Sequence, residues 1–401
     1  MTDTVFIFGA GFSYDAGIPL LSGFVDRMLD FAIKEKNSDQ LLSPADIEIF
    51  KDAMKIRNEL DGYHGRANFD DRNIEDLLSI LTFKLLGSRS SENDQLARIS
   101  AAIARTIELT CQIKHPGINK VGLYSEDDSI NIYKKFWRHL LSPMPNSEKL
   151  PAIITFNYDL VLERSFHQLL IGTFFNWHNN RFPHEKIRFN YNFSDVPIID
   201  YEISYVNFST PSLVGKPGSI IQPAAIKNET STIEIDLLKL HGSLNFPRKK
   251  ENRKDSVTFA HGITTPLNSP FILPPVFNKM TSGNSTTSMW QAAMKKLGNA
   301  KNIVIVGYSL PKTDIYMQYF LKAALGPNKN LNKVFIFDPV LFQENKARDE
   351  MMDRYKSCFA ENFINRIVFQ PDTVNIHRTD RLGTTRYFVE LLENNQGGLL
   401  F

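Results

Sequence analysis

The sequence predicts an α/β protein with a Rossmann-like, doubly wound parallel sheet that carries a large helical insertion. Six short runs rich in Val, Ile and Phe are apolar on both faces, which is typical of parallel strands covered by helices. The 401 residues exceed the roughly 250–300 at which one hydrophobic core stops growing, so an insertion or a second domain is expected. The runs are Val5 to Phe8, Ala152 to Phe156, Ile235 to Leu240, Asn302 to Val306, Lys333 to Phe337 and Arg366 to Phe369.

Helical periodicity fills the long stretch between the first two runs. We expect residues 31–150 to form a helical insertion domain, because a simple crossover needs far less chain. Residues 1–30 and 151–401 would form the core, with 171–234 as an irregular insertion rich in Asn, Phe, Tyr, Pro and Ser. The two apolar stripes are Ile74, Leu77, Leu78, Leu81 and Leu85, between Asn73 as N-cap and Gly87 as stop, and Ile130, Tyr133, Phe136, Trp137, Leu140 and Leu141.

Composition and charge narrow the functional classes. A net charge of +2 indicates no nucleic-acid partner by itself, and the basic segment 247–255 is expected to be a solvated loop rather than a binding site for nucleic acid or an acidic partner. Two cysteines cannot build a four-cysteine zinc site or a disulfide framework. No basic leader and no run of ~20 apolar residues is present, so we expect a cytoplasmic protein without membrane contact.

The first apolar run leads directly into a glycine-rich segment. A buried strand followed by Gly-x-Gly, a small polar residue and a further glycine is typical of a loop that cradles a nucleotide pyrophosphate. The spacing departs from the Gly-x-Gly-x-x-Gly pattern of dehydrogenases, and a simple turn is the alternative. The segment contains Gly9, Ala10, Gly11, Ser13, Gly17, Ile18 and Pro19.

Polar residues follow four other runs at the point where each predicted strand ends. Ligands of open parallel sheets bind outside this edge. Asn157 and Asp159 follow the second run and could reach into the crevice or cap the next helix. His241 follows the third and could act as a base near neutral pH or be structural. Candidate ligand contacts after the fourth and fifth runs are Gly307, Ser309 and Asp338, with Thr313 or Asp314 as the next helix cap.

These segments, in this order, resemble the sirtuin family. Gly9-Ala10-Gly11-Phe12-Ser13 with Gly17-Ile18-Pro19 is similar to the family's Gly-Ala-Gly-x-Ser…Gly-Ile-Pro signature. Thr155-Phe156-Asn157-Tyr158-Asp159 is similar to Thr-Gln-Asn-Ile-Asp. His241-Gly242 resembles the catalytic His-Gly pair, and Gly307-Tyr308-Ser309-Leu310 resembles Gly-Thr-Ser-Leu. The resemblance covers about half of the chain.

The resemblance implies a role for each matching residue in binding and cleaving NAD, which would be the substrate. Asn157 would position the nicotinamide ribose and a water, and His241 would act as base. Asp159 would meet the nicotinamide amide, Ser309 phosphate or ribose, and Asp338 the adenosine ribose. Together with Gly307, the remaining members of the NAD-binding set are Gly9, Ala10, Gly11 and Ser13, which would hold the phosphates, and Gly17, Ile18 and Pro19.

The departures from the sirtuin pattern favour one branch of that family. The two Cys-x-x-Cys pairs of deacylating sirtuins are missing, so no zinc is expected, and Phe156 replaces the Gln of the second motif. The chain therefore looks like the zinc-free sirtuin-like effectors of bacterial defence against phage, which hydrolyse NAD to nicotinamide and ADP-ribose. That likeness implies a homo-oligomer and a HerA-type hexameric ATPase as partner. The alternatives are a deacylase or ADP-ribosyltransferase acting on protein, and a non-catalytic NAD- or ADP-ribose-sensing module that regulates an ATPase or nuclease.

Overall fold

The structure is a computed structural model, and it covers most of the chain with gaps. It describes residues 3–62, 70–87, 91–114, 128–141, 150–176, 186–192, 232–247, 264–267, 270–273, 284–312, 314–343, 345–369 and 384–393. Most of the segment 171–234, the basic segment beyond Pro247, and Thr313 lie outside these ranges.

A seven-stranded parallel sheet flanked by helices forms the core, which confirms the predicted Rossmann-like α/β fold, while the large helical insertion stays a prediction. All six apolar runs form strands of this sheet. The central strands are buried on both faces, as their uninterrupted hydrophobicity predicts, whereas in the edge strand β11 only Ile367 is buried. In spatial order the strands are β11 (Ile367–Phe369), β10 (Lys333–Phe337), β9 (Asn302–Val306), β1 (Thr4–Phe8), β4 (Ala152–Thr155), β6 (Thr232–Lys239) and β5 (Lys186–Asn190). Two small antiparallel pairs are β2 (Lys36–Asn37) with β3 (Gln40–Leu41), and β7 (Gly242–Pro247) with β8 (Pro270–Ile272).

The helices connect these strands and include both predicted apolar stripes. Asn73 accepts a hydrogen bond from the N–H of Glu75 at 2.9 Å, at the start of the first stripe. The described helices are α1 (Ala10–Tyr14), α2 (Leu21–Lys34), α3 (Pro44–Asp61), α4 (Ile74–Gly87), α5 (Ser91–Thr110), α6 (Asp128–Leu141), α7 (Val161–Asn176), α8 (Asn284–Asn299), α9 (Ile315–Leu325), α10 (Lys346–Lys356) and α11 (Thr384–Glu393).

The sequence analysis missed β5, which lies inside the segment 171–234. This strand is at the edge of the sheet and pairs with β6 alone. Its sequence alternates polar and apolar residues, with Phe189 buried and the Asn190 side chain donating to Asp236 at 3.0 Å. An edge strand with this pattern lacks the continuous apolar run that marked the other strands.

The helix α6 packs directly on the sheet. The Phe136 ring meets the Phe6 and Phe8 rings edge to face, with centroids 5.8 and 5.5 Å apart. The indole N–H of Trp137 donates to the carbonyl of Leu162 in α7 at 3.1 Å. This helix is therefore one layer of the central core, and the division of residues 31–150 into a separate domain stays a prediction.

The strand register places the ends of five strands at one level. Phe8 lies opposite Thr155 on one side and Val306 on the other, while Lys239 lies opposite Thr155 and Phe337 opposite Val306. The chain passes from β1 to β4 on one side and only later places β9 on the other, so the topological switch point lies between β1 and β9. The residues immediately beyond that level are Gly9, Phe156, Leu240, Gly307 and Asp338.

At the switch point the loops after β1 and β9 are in backbone contact. The N–H groups of Gly9 and Gly11 donate to the carbonyls of Val306 and Gly307 at 3.1 and 2.9 Å. Gly307 has a φ of +64°, and a Cβ on it would lie 2.3 Å from the backbone nitrogen of Phe12. Backbone atoms cannot swing aside as a flexible side chain can, so this contact requires glycine.

The replacement Gly307→Ala is expected to reduce the free energy of unfolding by about 2–5 kcal/mol, from left-handed strain and overpacking together. Gly23→Ala is the matched control, because Gly23 is helical and its added Cβ would meet nothing closer than 4.0 Å. That control should gain up to about 1 kcal/mol. Urea unfolding measures both values, and a Gly307→Ala protein as stable as the parent would contradict the prediction.

Candidate functional site

Asn157 lies where the loop after β4 meets the glycine-rich segment after β1. Its side-chain NH₂ donates to the carbonyl of Gly9 at 2.8 Å and to the Ser13 hydroxyl oxygen at 2.9 Å. A backbone carbonyl can only accept, so this contact fixes the orientation of the amide and turns its oxygen away from Gly9. Among the described residues, no donor reaches that oxygen, and the Asn157 side chain is half-buried.

Ser13 is buried, and its hydroxyl oxygen accepts the hydrogen bond from Asn157. The sequence analysis assigned Ser13 to a phosphate, but in the structure its hydroxyl contacts Asn157, in the loop after β4. Gly9 and Gly11 were also assigned to phosphate, but their N–H groups donate to the last residue of β9 and to the first residue after it, while Ala10 begins α1. These contacts build the loop, and a role of these residues toward phosphate stays a prediction.

The helices α6 and α11 hold the loop after β1 in place. The Phe12 carbonyl accepts from the Tyr133 hydroxyl at 2.6 Å and from the Thr385 hydroxyl at 2.7 Å. The Phe12 ring stacks on Phe8 with centroids 3.9 Å apart. α6 and α11 also pack against each other, with the Phe136 and Phe388 rings 6.2 Å apart, so one pair of helices fixes α1, and hence Ser13.

Asp159 caps a helix. Its carboxylate accepts from the N–H of Val161, the first residue of α7, at 3.0 Å. Its backbone carbonyl accepts from the buried Lys239 ammonium, which also pairs with Glu163 at 2.9 Å. Of the two interpretations of Asp159, the helix cap is the contact that the structure contains.

His241 lies in a row of aromatic side chains at the same edge of the sheet. Its ring is 5.1 Å from the Phe156 ring and 6.4 Å from the Tyr158 ring, and it is 5% exposed. The Phe156 ring in turn lies 4.5 Å from the Tyr308 ring. The order Tyr158, His241, Phe156, Tyr308 defines the aromatic row, and it places His241 against the residue that precedes Asn157.

The sequence analysis did not assign Tyr158, Phe156 or Tyr308 to the site. Phe156 and Tyr308 lie inside the segments that resemble sirtuin motifs, at the positions where those motifs have Gln and Thr. The Tyr308 hydroxyl donates to Asp314 at 2.8 Å, and burial raises the pKa of Tyr308 well above its usual value. Burial also raises the pKa of Tyr158, whose hydroxyl donates to Leu273 at 3.0 Å. Both phenols therefore stay protonated and act as hydrogen-bond donors.

Ser309 and Asp338 follow the neighbouring strands β9 and β10. The Ser309 carbonyl accepts from Arg354 at 3.1 Å. The buried Asp338 carboxylate accepts from the N–H of Val340 at 3.0 Å and caps the short 3₁₀ helix Pro339–Phe342. Burial raises the pKa of Asp338 to about 6, although the Val340 N–H and the positive charge of Arg354 act in the opposite direction.

The Gly-Ile-Pro segment packs against the end of α5. Gly17 lies against the carbonyl of Thr110 at the end of α5, and the N–H of Gln112 donates to the Ala16 carbonyl at 2.8 Å. Ile18 is buried and Pro19 is half-buried. The segment connects α1 to α2 and packs against the end of α5, so its observed contacts are structural, and its predicted role in NAD binding stays a prediction.

A scan against protein-family models finds no match for the chain, and a search of the curated proteins finds no similar sequence. Within the residues that the structure describes, no three His, Cys, Asp or Glu side chains are grouped as metal ligands. In that same part of the chain, every helix is too short or too polar to cross a bilayer.

The raised pKa of Asp338 predicts a pH-dependent effect of Asp338→Asn. The folded-state pKa of about 6 lies above the ordinary 3.8, so the folded state binds more protons between these values and loses stability as the pH rises through them. Above pH ~6 the ionised carboxylate costs the fold up to roughly 3 kcal/mol. The Asn replacement keeps an oxygen to accept from Val340 while removing the charge.

We therefore expect Asp338→Asn to be more stable than the parent by about 1–3 kcal/mol at pH 7.5, and equally stable at pH 4. Urea unfolding at the two pH values measures this difference. Asp349→Asn is the control, since its carboxylate is 63% exposed and should have little effect at either pH. An equal gain from Asp338→Asn at both pH values would show that burial of the charge is not the cause.

Proposed function

We propose that this chain is a sirtuin-like NAD glycohydrolase, which cleaves NAD to nicotinamide and ADP-ribose and depletes NAD in bacterial defence against phage. The observation that carries the proposal is the double hydrogen bond from Asn157 to Gly9 and Ser13. It joins the residue assigned to bond cleavage to the loop assigned to the dinucleotide. Both lie beside the topological switch point, where ligands of doubly wound sheets bind.

Asn157 has the geometry to orient a water. Since its NH₂ group is held by Gly9 and Ser13, its oxygen is left to accept a hydrogen bond from a water at the anomeric carbon of the ribose. The bond between nicotinamide nitrogen and that carbon breaks with its electron pair going to nicotinamide. Water adds to the oxocarbenium-like carbon and loses one proton, so NAD⁺ and water give nicotinamide, ADP-ribose and H⁺.

His241 would accept that proton, either from the water or through a ribose hydroxyl. Its place beside Phe156 supports this role, because Phe156 immediately precedes Asn157 in the chain. The aromatic row also supplies apolar ring surface next to Asn157, which suits the flat nicotinamide ring and limits the access of additional water.

On the other side of the switch point, Ser309 and Asp338 would bind the rest of the dinucleotide. A carboxylate at a strand end is suited to accept from ribose hydroxyls, and Asp338 has that position after β10. We assign Ser309 to phosphate or ribose and Asp338 to the adenosine ribose. The two groups assigned to bond cleavage would thus follow β4 and β6, while the ends of β9 and β10 would share the binding of the dinucleotide with the loop after β1.

One alternative is favoured by a specific observation. His241 is only 5% exposed, which suits a module that senses NAD or ADP-ribose without turning it over and regulates a partner. Transfer to protein, as in a deacylase or an ADP-ribosyltransferase, is the other alternative. The cysteines do not favour a zinc-supported deacylase, since Cys111 and Cys358 are both buried and burial raises the pKa of the Cys111 thiol to about 12.

An always active NAD hydrolase would be toxic, so we propose control through assembly. The resemblance favours a homo-oligomer and a HerA-type hexameric ATPase as the partner. Nicotinamide release should be measured with the protein alone and with such an ATPase. Full activity of a purified monomer without any partner would contradict this form of control.

The replacements Asn157→Ala and His241→Ala are expected to reduce nicotinamide release from NAD by about 10²–10⁴-fold, because each removes a group that acts at the reacting carbon. His139→Ala is the matched control, since His139 is half-buried on α6 and should leave turnover unchanged. Chromatography of nicotinamide and ADP-ribose measures the rates, and circular dichroism establishes that each variant is folded.

The products distinguish the candidate functions. Free ADP-ribose supports hydrolysis, whereas a protein that gains mass by ADP-ribosylation supports transfer. Binding of NAD without any nicotinamide release supports the sensing module. Parental turnover in both Asn157→Ala and His241→Ala would exclude the proposed catalytic roles.

A further inference from the structure

Three consecutive carbonyls of the loop after β9 are bound by two adjacent side chains of α10. The Tyr355 hydroxyl donates to the Tyr308 carbonyl. Arg354 donates to the Ser309 carbonyl from Nη2 at 3.1 Å and to the Leu310 carbonyl from Nε at 2.7 Å. We call Arg354 and Tyr355 the carbonyl clamp. No sequence motif marked either residue.

The clamp determines where the amide groups of the loop point. In a trans peptide the N–H points opposite to the carbonyl of the same unit. Since the carbonyls of Tyr308 and Ser309 face α10, the N–H groups of Ser309 and Leu310 face away from it. Within the described part of the chain, neither N–H has an acceptor, whereas the N–H of Gly307 donates to Phe337 at 2.8 Å.

The loop does not adopt this shape by local preference. Leu310 has a φ of +48°, in the left-handed region, where a non-glycine residue is strained. Its side chain is fully buried and its carbonyl is held by Arg354, so packing and the clamp impose the conformation. Without the Arg354 guanidinium, relaxation of this strain would favour a different loop conformation.

The same guanidinium also acts on the neighbouring strand end. Its positive charge lowers the pKa of the Asp338 carboxyl, against the larger opposite effect of burial. Arg354 thus contacts Ser309 and stabilises the ionised form of Asp338, and both of these residues are assigned to NAD binding. Asn157 and His241 belong to the strand ends on the far side of β1.

We propose that Arg354 is a positioning residue, which shapes the loop after β9 so that Ser309 and its neighbouring amides can bind the dinucleotide. This inference rests on the proposed function and deepens it. Because the clamp acts on the binding side of the switch point, its loss should weaken NAD binding and leave bond cleavage nearly unchanged.

The test compares steady-state NAD cleavage by Arg354→Met, Arg354→Lys and the parent protein. We expect the Met replacement to raise KM for NAD about tenfold, with kcat within about twofold of the parent. The Lys replacement keeps the charge but loses the paired donors, so its KM should lie between the two. Arg348→Met is the matched control on the same helix, because the Arg348 guanidinium bonds only to its neighbour Asp349 among the described residues.

Hydrogen exchange of residues 307–312 gives a second readout that does not depend on NAD. We expect faster exchange in folded Arg354→Lys than in Arg348→Met, because the loop is less restrained. If Arg354→Met fails to fold, Arg354→Lys carries the kinetic comparison alone. Tyr355→Phe removes only the hydrogen bond to Tyr308, and a smaller rise of KM in the same direction is expected.

Different outcomes overturn different statements. An active parent protein with KM unchanged in the Arg354 variants, or with kcat reduced at constant KM, overturns the positioning role and leaves the proposed function standing. A parent protein that neither binds nor cleaves NAD overturns the proposed function, and the positioning role with it.

Discussion

The backbone contact between the loops after β1 and β9 is the constraint on which the candidate site depends. Gly11 and Gly307 approach so closely that a Cβ on either would collide with the backbone of the other loop. This approach seats α1 at the switch point of the sheet, with Ser13 within hydrogen-bond distance of Asn157. The side-chain amide of Asn157 is then oriented by the Gly9 carbonyl. Any residue larger than glycine at Gly307 would separate the two loops and disturb that chain of contacts.

Each side of the switch point uses a cation to hold a loop carbonyl. On the β4 and β6 side, the buried Lys239 donates to the Asp159 carbonyl and pairs with Glu163. On the β9 and β10 side, Arg354 donates to the Ser309 carbonyl. A charge removed from water is costly unless it is paired and fully hydrogen-bonded, so the contacts of the buried Lys239 are better explained as specifying loop geometry than as sources of stability.

The strand ends could be predicted because a buried parallel strand has a continuous apolar sequence that ends in turn residues. The two helical stripes were predictable from a local apolar pattern as well. For the cap of α9 the sequence offered Thr313 or Asp314, and Asp314 accepts from the N–H of Met317. The edge strand β5 was missed because its alternating sequence lacks that signal. Arg354 was missed because its partners are backbone carbonyls. Every residue has a carbonyl, so the sequence does not show which ones a side chain will bind.

The sequence by itself determined the order of buried strands, the glycines between them and the polar residues that follow each strand, since these depend on local hydrophobicity and backbone freedom. Only the tertiary structure decided which polar groups meet, because the partners are far apart in the chain. Asn157 and Ser13 are separated by 144 positions, yet they are joined by one hydrogen bond. Asp159, two positions further on, turns instead to the start of α7. Sheet register and loop packing select these partners, and neither is encoded in a local pattern.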